Sequence, residues 1–162
     1  MKSNKKQINI AVAAIIAALY VVLTYLASAL GIASYAIQVR FSEALTILPI
    51  FTPAAIPGLF AGCILANLLT GCALWDIIFG SIATLLGAIG TYLLRKHKVL
   101  AVIPPIVMNV IVVPFVLMYV YTLDGAYWYF VLTIAIGEII SCGVLGTFLR
   151  KGLERSRLSK II

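Results

Sequence analysis

Hydrophobic runs broken by glycine, proline and charge divide the chain into six apolar segments, at residues 8–30, 36–51, 56–70, 75–94, 99–121 and 126–149. A helix that crosses a bilayer takes about 20 apolar residues. The second and third segments fall short of that. They read either as tilted spans relieving hydrophobic mismatch, or as short or broken elements sheltered by protein or a water-filled cavity. The pattern predicts an all-α membrane protein with six transmembrane helices, the second and third short, forming one integral membrane domain over residues 1–162.

Composition supports that reading. The chain is 64% hydrophobic and 10% charged, against about 25% charged in soluble domains, and its mean hydropathy is +1.16. The net charge of +7 would suit a nucleic-acid binder, but its placement argues otherwise. The basic residues cluster at Lys2, Lys5 and Lys6, at Arg95, Lys96 and Lys98, and across residues 150–160, each cluster flanking an apolar run. That is the pattern of the positive-inside rule and of contact with anionic headgroups. Six crossings bring all three clusters to one side, so both termini are expected in the cytoplasm of a bacterial cell, with the protein in its plasma membrane and no nucleic-acid partner. Five crossings would strand one cluster outside.

The first segment has a basic start and an Ala27-Ser28-Ala29 stretch that imitates a signal peptide. Its apolar run exceeds the usual 7–15-residue core, so a retained helix is expected. Cys63, Cys72 and Cys142 are odd in number and show no Cys/His metal spacing, so neither a disulfide framework nor a metal or other cofactor is expected. No internal repeat is evident, and no Gly-x-x-x-x-Gly-Lys-Ser/Thr loop that would hold a nucleotide.

Charged and amide side chains in hydrocarbon are costly, of order +2.5 to +3.5 kcal/mol for a charge near a helix centre, and mark functional positions by default. Arg40 and Glu43 lie three apart, on one helical face. They form either a self-neutralising ion pair or a site in which one partner turns to a ligand. Asp76, after Trp75, opens the fourth segment, where a carboxylate suits the helix dipole. Gly80, Thr84 and Ala88 follow at four-residue steps and make a narrow face, for a flat ligand or for helix packing. Glu138 stands in mid-segment with no basic residue within two turns. Asn67 and Asn109 add amides that offer donors and an acceptor, or serve as glue between helices. Pro105 and Pro114 flank Asn109 and are expected to bend that helix. Tyr127 and Trp128 belong to an aromatic cluster that either anchors the interface or covers a site. The 31–36 connection is the expected gate.

Carboxylates and amides with aromatics and one Arg suit a planar, donor-rich, neutral or cationic heterocycle. The single His97 and the lack of a Ser–His–Asp arrangement argue against an enzyme. On the first segment, small residues repeat at Ala13/Ala17 and Ala14/Ala18, spacing that admits another helix closely.

The strings VRFSEALTILPIF, PGLFAGCILANLLTG and ALWDIIFGSIATLLGA resemble the QueT family of substrate-binding S components of energy-coupling factor transporters. The resemblance runs over nearly the whole chain. It implies capture of a queuosine precursor, a deazaguanine base such as queuine or a prequeuosine base. It also implies partnership with a membrane coupling (T) subunit and two ATPases, with Ala13, Ala14, Ala17 and Ala18 matching the coupling contact. Arg40, Glu43, Asn67, Trp75 and Asp76 fall in the family strings. Asn109, Tyr127 and Glu138 join the candidate site by the topology argument. An S component for another small vitamin and a ligand-free membrane scaffold remain as alternatives.

Overall fold

A computed structural model describes residues 2–32 and 38–156, and among these it is entirely helical and irregular, with no strand. The elements are α1 (Lys2–Ala29), a 3-10 helix (Phe41–Ile50), α2 (Ala55–Leu69), α3 (Leu74–Leu93), a 3-10 turn (Leu100–Val102) leading into α4 (Ile103–Tyr119), α5 (Tyr127–Glu138), a π-helical stretch (Ile139–Leu145) and α6 (Gly146–Arg155). Four helical stretches are long and apolar enough to cross a membrane: Asn4–Ala29, Leu74–Leu93, Leu100–Tyr119 and Tyr127–Arg155. Leucine, isoleucine, valine and aromatic side chains point outward along all of them, as expected where the solvent is lipid. Residues 33–36 of the expected gate lie outside the described residues.

The six segments alternate in direction. Gly58 and Gly62 meet Ala13 and Ala17 in ascending order, so α1 and α2 run parallel. The 3-10 helix between them runs the other way, since Ser42 meets Thr24 and Glu43 meets Tyr20.

That 3-10 helix differs from the α-helical segment expected over residues 36–51. Arg40 is extended, Gln38 and Val39 before it belong to no helix, and only then does the chain coil. The element is the centre of the bundle: every residue from Ser42 to Pro49 is buried. Its near-continuous apolar pattern follows from having neighbours on all sides.

Glycines set the closest approaches. A Cβ on Gly62 would sit 2.8 Å from the Tyr20 Cβ and 3.0 Å from the Ala17 Cα. Gly62→Val is therefore expected to push α2 off α1 and to lower stability by about 1–3 kcal/mol, the usual cost of overpacking, measurable as a lower melting temperature in detergent. On α3, Gly87 and Gly90 admit Pro105 and Pro104. These prolines occupy the first turn of α4, where no intrahelical N–H bond is lost. Pro105 therefore starts the helix, and of the two prolines flanking Asn109 only Pro114 sits inside it.

The last segment is longer than the expected 126–149. Past the π-helical stretch, α6 carries Leu149 and Leu153 against the core while Lys151 and Arg155 face out. A salt bridge from Lys98 Nζ to Glu154 Oε1, 2.9 Å long, joins α6 to the 95–98 loop.

Candidate functional site

Charged and amide side chains from four elements converge on one small cavity. Arg40 and Glu43 come from the start of the 3-10 helix, Asp76 from the first turn of α3, Asn109 from mid-α4 and Glu138 from the end of α5. Gln38, Gly80 and Thr84 complete the polar wall, with Val113 and Ile134 on the apolar side. The enclosed space is about 10 Å³, the volume taken by about one water.

Asn109 is the hub. Its Nδ2 donates to Glu138 Oε1 at 3.0 Å and to Glu43 Oε2 at 3.4 Å. One amide thereby holds two carboxylates that are 2% and 6% exposed. The remaining oxygens are also taken: the Tyr20 hydroxyl donates to Glu43 Oε1, and the Cys142 thiol donates to Glu138 Oε2 at 3.2 Å. Cys142 lies one turn beyond Glu138, next to Thr46 Oγ1 at 3.4 Å. Glu43, Glu138 and Cys142 bring ligand-capable atoms within 4.8 Å of one another, and Tyr20 and Asn109 donate to the two carboxylates.

Arg40 behaves differently. Among the described residues the only ion pair within 4 Å is Lys98–Glu154, so Arg40 and Glu43 do not neutralise each other by contact. The geometry explains it. Arg40 is extended, at φ −108° and ψ 110°, and therefore stands outside the helical row. Both Glu43 oxygens are already bonded to Tyr20 and Asn109. The Arg40 backbone N–H is anchored to Ser141 Oγ at 3.2 Å, and its guanidinium feels Asp76 and Glu43 at longer range only. A guanidinium lacking a carboxylate contact thus lines a cavity with three carboxylates.

The segment that carries Arg40 passes tightly beside α5. A Cβ at Gly137 would fall 2.1 Å from the Gln38 carbonyl oxygen, so only glycine permits this crossing.

The other expected site residues divide. Asn67 is 2% exposed and lies just behind Gly80, its amide directed to Cys63 Sγ at 3.6 Å. Trp75 is exposed and stacks on Phe79, ring centroids 5.8 Å apart. Successive helical residues diverge by about 100°, so with Asp76 turned inward Trp75 faces out. Tyr127 packs on Phe115 at 4.8 Å, also away from the cavity wall. Gly80 and Thr84 serve the cavity, whereas Ala88, a turn further, is core. On α1, Ala13 and Ala17 are taken up by α2, while Ala14 and Ala18 stay exposed.

Sequence reasoning passed over Tyr20, Cys142, Gly137 and Gln38. The Cys142 signal was its four-residue distance from Glu138. The Tyr20 signal was a hydroxyl in an otherwise apolar helix.

Apolar helices of spanning length around a buried, hydrogen-bonded cluster of carboxylates and an amide are those of a membrane protein with a polar centre. The chain belongs to the QueT transporter family, whose family model matches residues 10–155. No curated protein and no solved structure matches it.

Proposed function

We propose that the protein is the substrate-binding S component of an energy-coupling factor importer and that its cavity binds a deazaguanine base, a queuosine precursor. The observation that carries this reading is that Arg40, whose guanidinium has no ion pair among the described residues, lines the same cavity as two carboxylates bridged by Asn109. A guanine-type edge offers adjacent N–H donors and a carbonyl. Glu43 and Glu138 accept the donors, and Arg40 or Asn109 donates to the carbonyl. A bicyclic base is far larger than the cavity of about 10 Å³, since sites for such ligands run to roughly 300 Å³ and above. Binding therefore parts the helices and exchanges the Asn109 bridge for bonds to the base.

In this reading all six segments cross the bilayer, with the 38–40 stretch completing the second crossing. The basic clusters lie in the cytoplasm and the cavity in the outer half. The exposed Ala14 and Ala18 offer a face to the coupling subunit, which acts with two ATPases. Ala13 and Ala17 support that face from within, by letting α2 pack beneath it.

Isothermal titration of the purified protein with queuine and the prequeuosine bases tests the reading, with one-to-one binding expected. Absence of binding, or equal binding of thiamine and riboflavin, overturns it.

A further inference from the structure

Helix α3 carries three glycines, Gly80, Gly87 and Gly90, and packing accounts for two of them. A Cβ on Gly87 would stand 2.7 Å from the Pro105 Cα, and one on Gly90 2.5 Å from the Pro104 Cβ. Gly80 is different. A Cβ there would meet Asp76 Oδ1 and Asn67 Nδ2, each at 3.5 Å, which is ordinary van der Waals contact. Apart from its chain neighbours and the backbone of its own helix, no other described atom lies within 4 Å of that point.

Backbone conformation does not call for glycine either. Among the described residues only Gly31 and Gly71 are glycines of positive φ, so the freedom that glycine uniquely offers goes unused at residue 80. Inside a helix glycine is a poorer choice than alanine, and Gly80 is buried. What the missing side chain leaves is space. That space opens on the polar cavity, which Gly80 lines together with Glu43, Asp76, Thr84, Asn109 and Glu138. Thr84 holds the bare backbone in place: its hydroxyl donates to the Gly80 carbonyl at 3.0 Å and lies 3.4 Å from Cys63 Sγ.

With no Cβ in the way, a ligand carbon can approach the Gly80 Cα to an ordinary contact of about 3.5–4.0 Å. A flat ring brings a whole face to that distance, whereas a puckered ring is held off by its projecting hydrogens. We infer that Gly80 is a specificity-determining residue of the cavity: its bare backbone is the floor on which one face of a flat ring lies, while the edge of the ring reaches the carboxylates bridged by Asn109. The inference rests on the binding reading above and deepens it, adding to the hydrogen-bonding edge a surface that selects for planarity. Trp75 and Tyr127, both turned away from the cavity, leave that role to the helix backbone.

Titration of the wild type, Gly80→Ala and Gly87→Ala with queuine and the prequeuosine bases, beside melting curves in detergent, decides the matter. Gly80→Ala is expected to keep or raise the melting temperature, because its methyl enters open space and alanine favours the helix. It should weaken the base at least about tenfold, because that methyl stands where the ring lies. Gly87→Ala should lower the melting temperature, since its methyl runs into the Pro105 backbone. A Gly80→Ala protein that binds as tightly as the wild type overturns the inference and leaves the transport reading standing. So does one that loses melting temperature as Gly87→Ala does, since the glycine would then serve packing. Binding of none of the bases by the wild type overturns both.

Discussion

Glu138→Gln and Glu43→Gln are each expected to weaken base binding by about 100-fold while the protein still folds. Each glutamine keeps the shape of the side chain but exchanges an acceptor for a donor. At residue 138 the new –NH2 faces either Asn109 Nδ2 or the Cys142 thiol, both of which are donating now. Hydrogen bonds to charged groups contribute about 1.5–3 kcal/mol each, and one lost toward a ligand corresponds, at the upper end of that range, to about a hundredfold in affinity. Glu43→Gln should cost more in stability than Glu138→Gln, since it sets the amide against the Tyr20 hydroxyl and Asn109 in the most buried part of the bundle. Titration with the base, paired with melting curves, separates the two effects. Glu154→Gln, on the exposed Lys98 bridge, should change neither. A drop in melting temperature with affinity intact would make the carboxylates structural and favour the scaffold alternative.

The number and order of the helical segments could be read from the hydropathy pattern, because lipid permits few other structures and spanning runs are long. The conformation of the second segment could not. Its apolar run from Phe41 to Ile50 has the same composition whether it coils as an α-helix or a 3-10 helix. Its surroundings, with neighbours on every side from Ser42 to Pro49, are set by the rest of the bundle and not by its own residues. Glu43, Asp76 and Glu138 were legible for an energetic reason: a carboxylate at membrane depth needs a partner, so the sequence alone marks them as inward-facing. Trp75 and Tyr127 carried no such constraint. Aromatic rings are stable at an interface as well as in a pocket, and the helical phase set by Asp76 turned Trp75 outward. The ion pair, one of the two readings open for Arg40 and Glu43, depended on a helix that begins only after Arg40. Tyr20 belongs to the site through a contact 23 residues away in sequence, a relation that spacing cannot express, whereas Cys142 stands one turn from Glu138.

Gly137→Ala is expected to lower the melting temperature and to reduce base affinity at least tenfold. The added Cβ would lie 2.1 Å from the Gln38 carbonyl oxygen and 2.9 Å from its carbonyl carbon. Both are backbone atoms, so no side-chain rotation relieves the clash. Either α5 withdraws or the 38–40 segment does, at a cost at or above the 1–3 kcal/mol typical of overpacking. Withdrawal of the segment breaks the Arg40 N–H bond to Ser141 and carries the guanidinium away from the carboxylates. Withdrawal of α5 moves Glu138, the adjacent residue, off Asn109. Both routes dismantle the same site. Two glycines in the same stretch of chain supply the controls: at Gly143 a Cβ meets only Ile139 Cγ2 at 3.7 Å, and at Gly152 nothing lies within 4 Å. Alanine there should be neutral or slightly stabilising, since it favours helix over glycine by about 1 kcal/mol. Should Gly137→Ala behave like Gly143→Ala in both melting and titration, the 38–40 segment is not held against α5, and Arg40 loses the anchor that points it into the cavity.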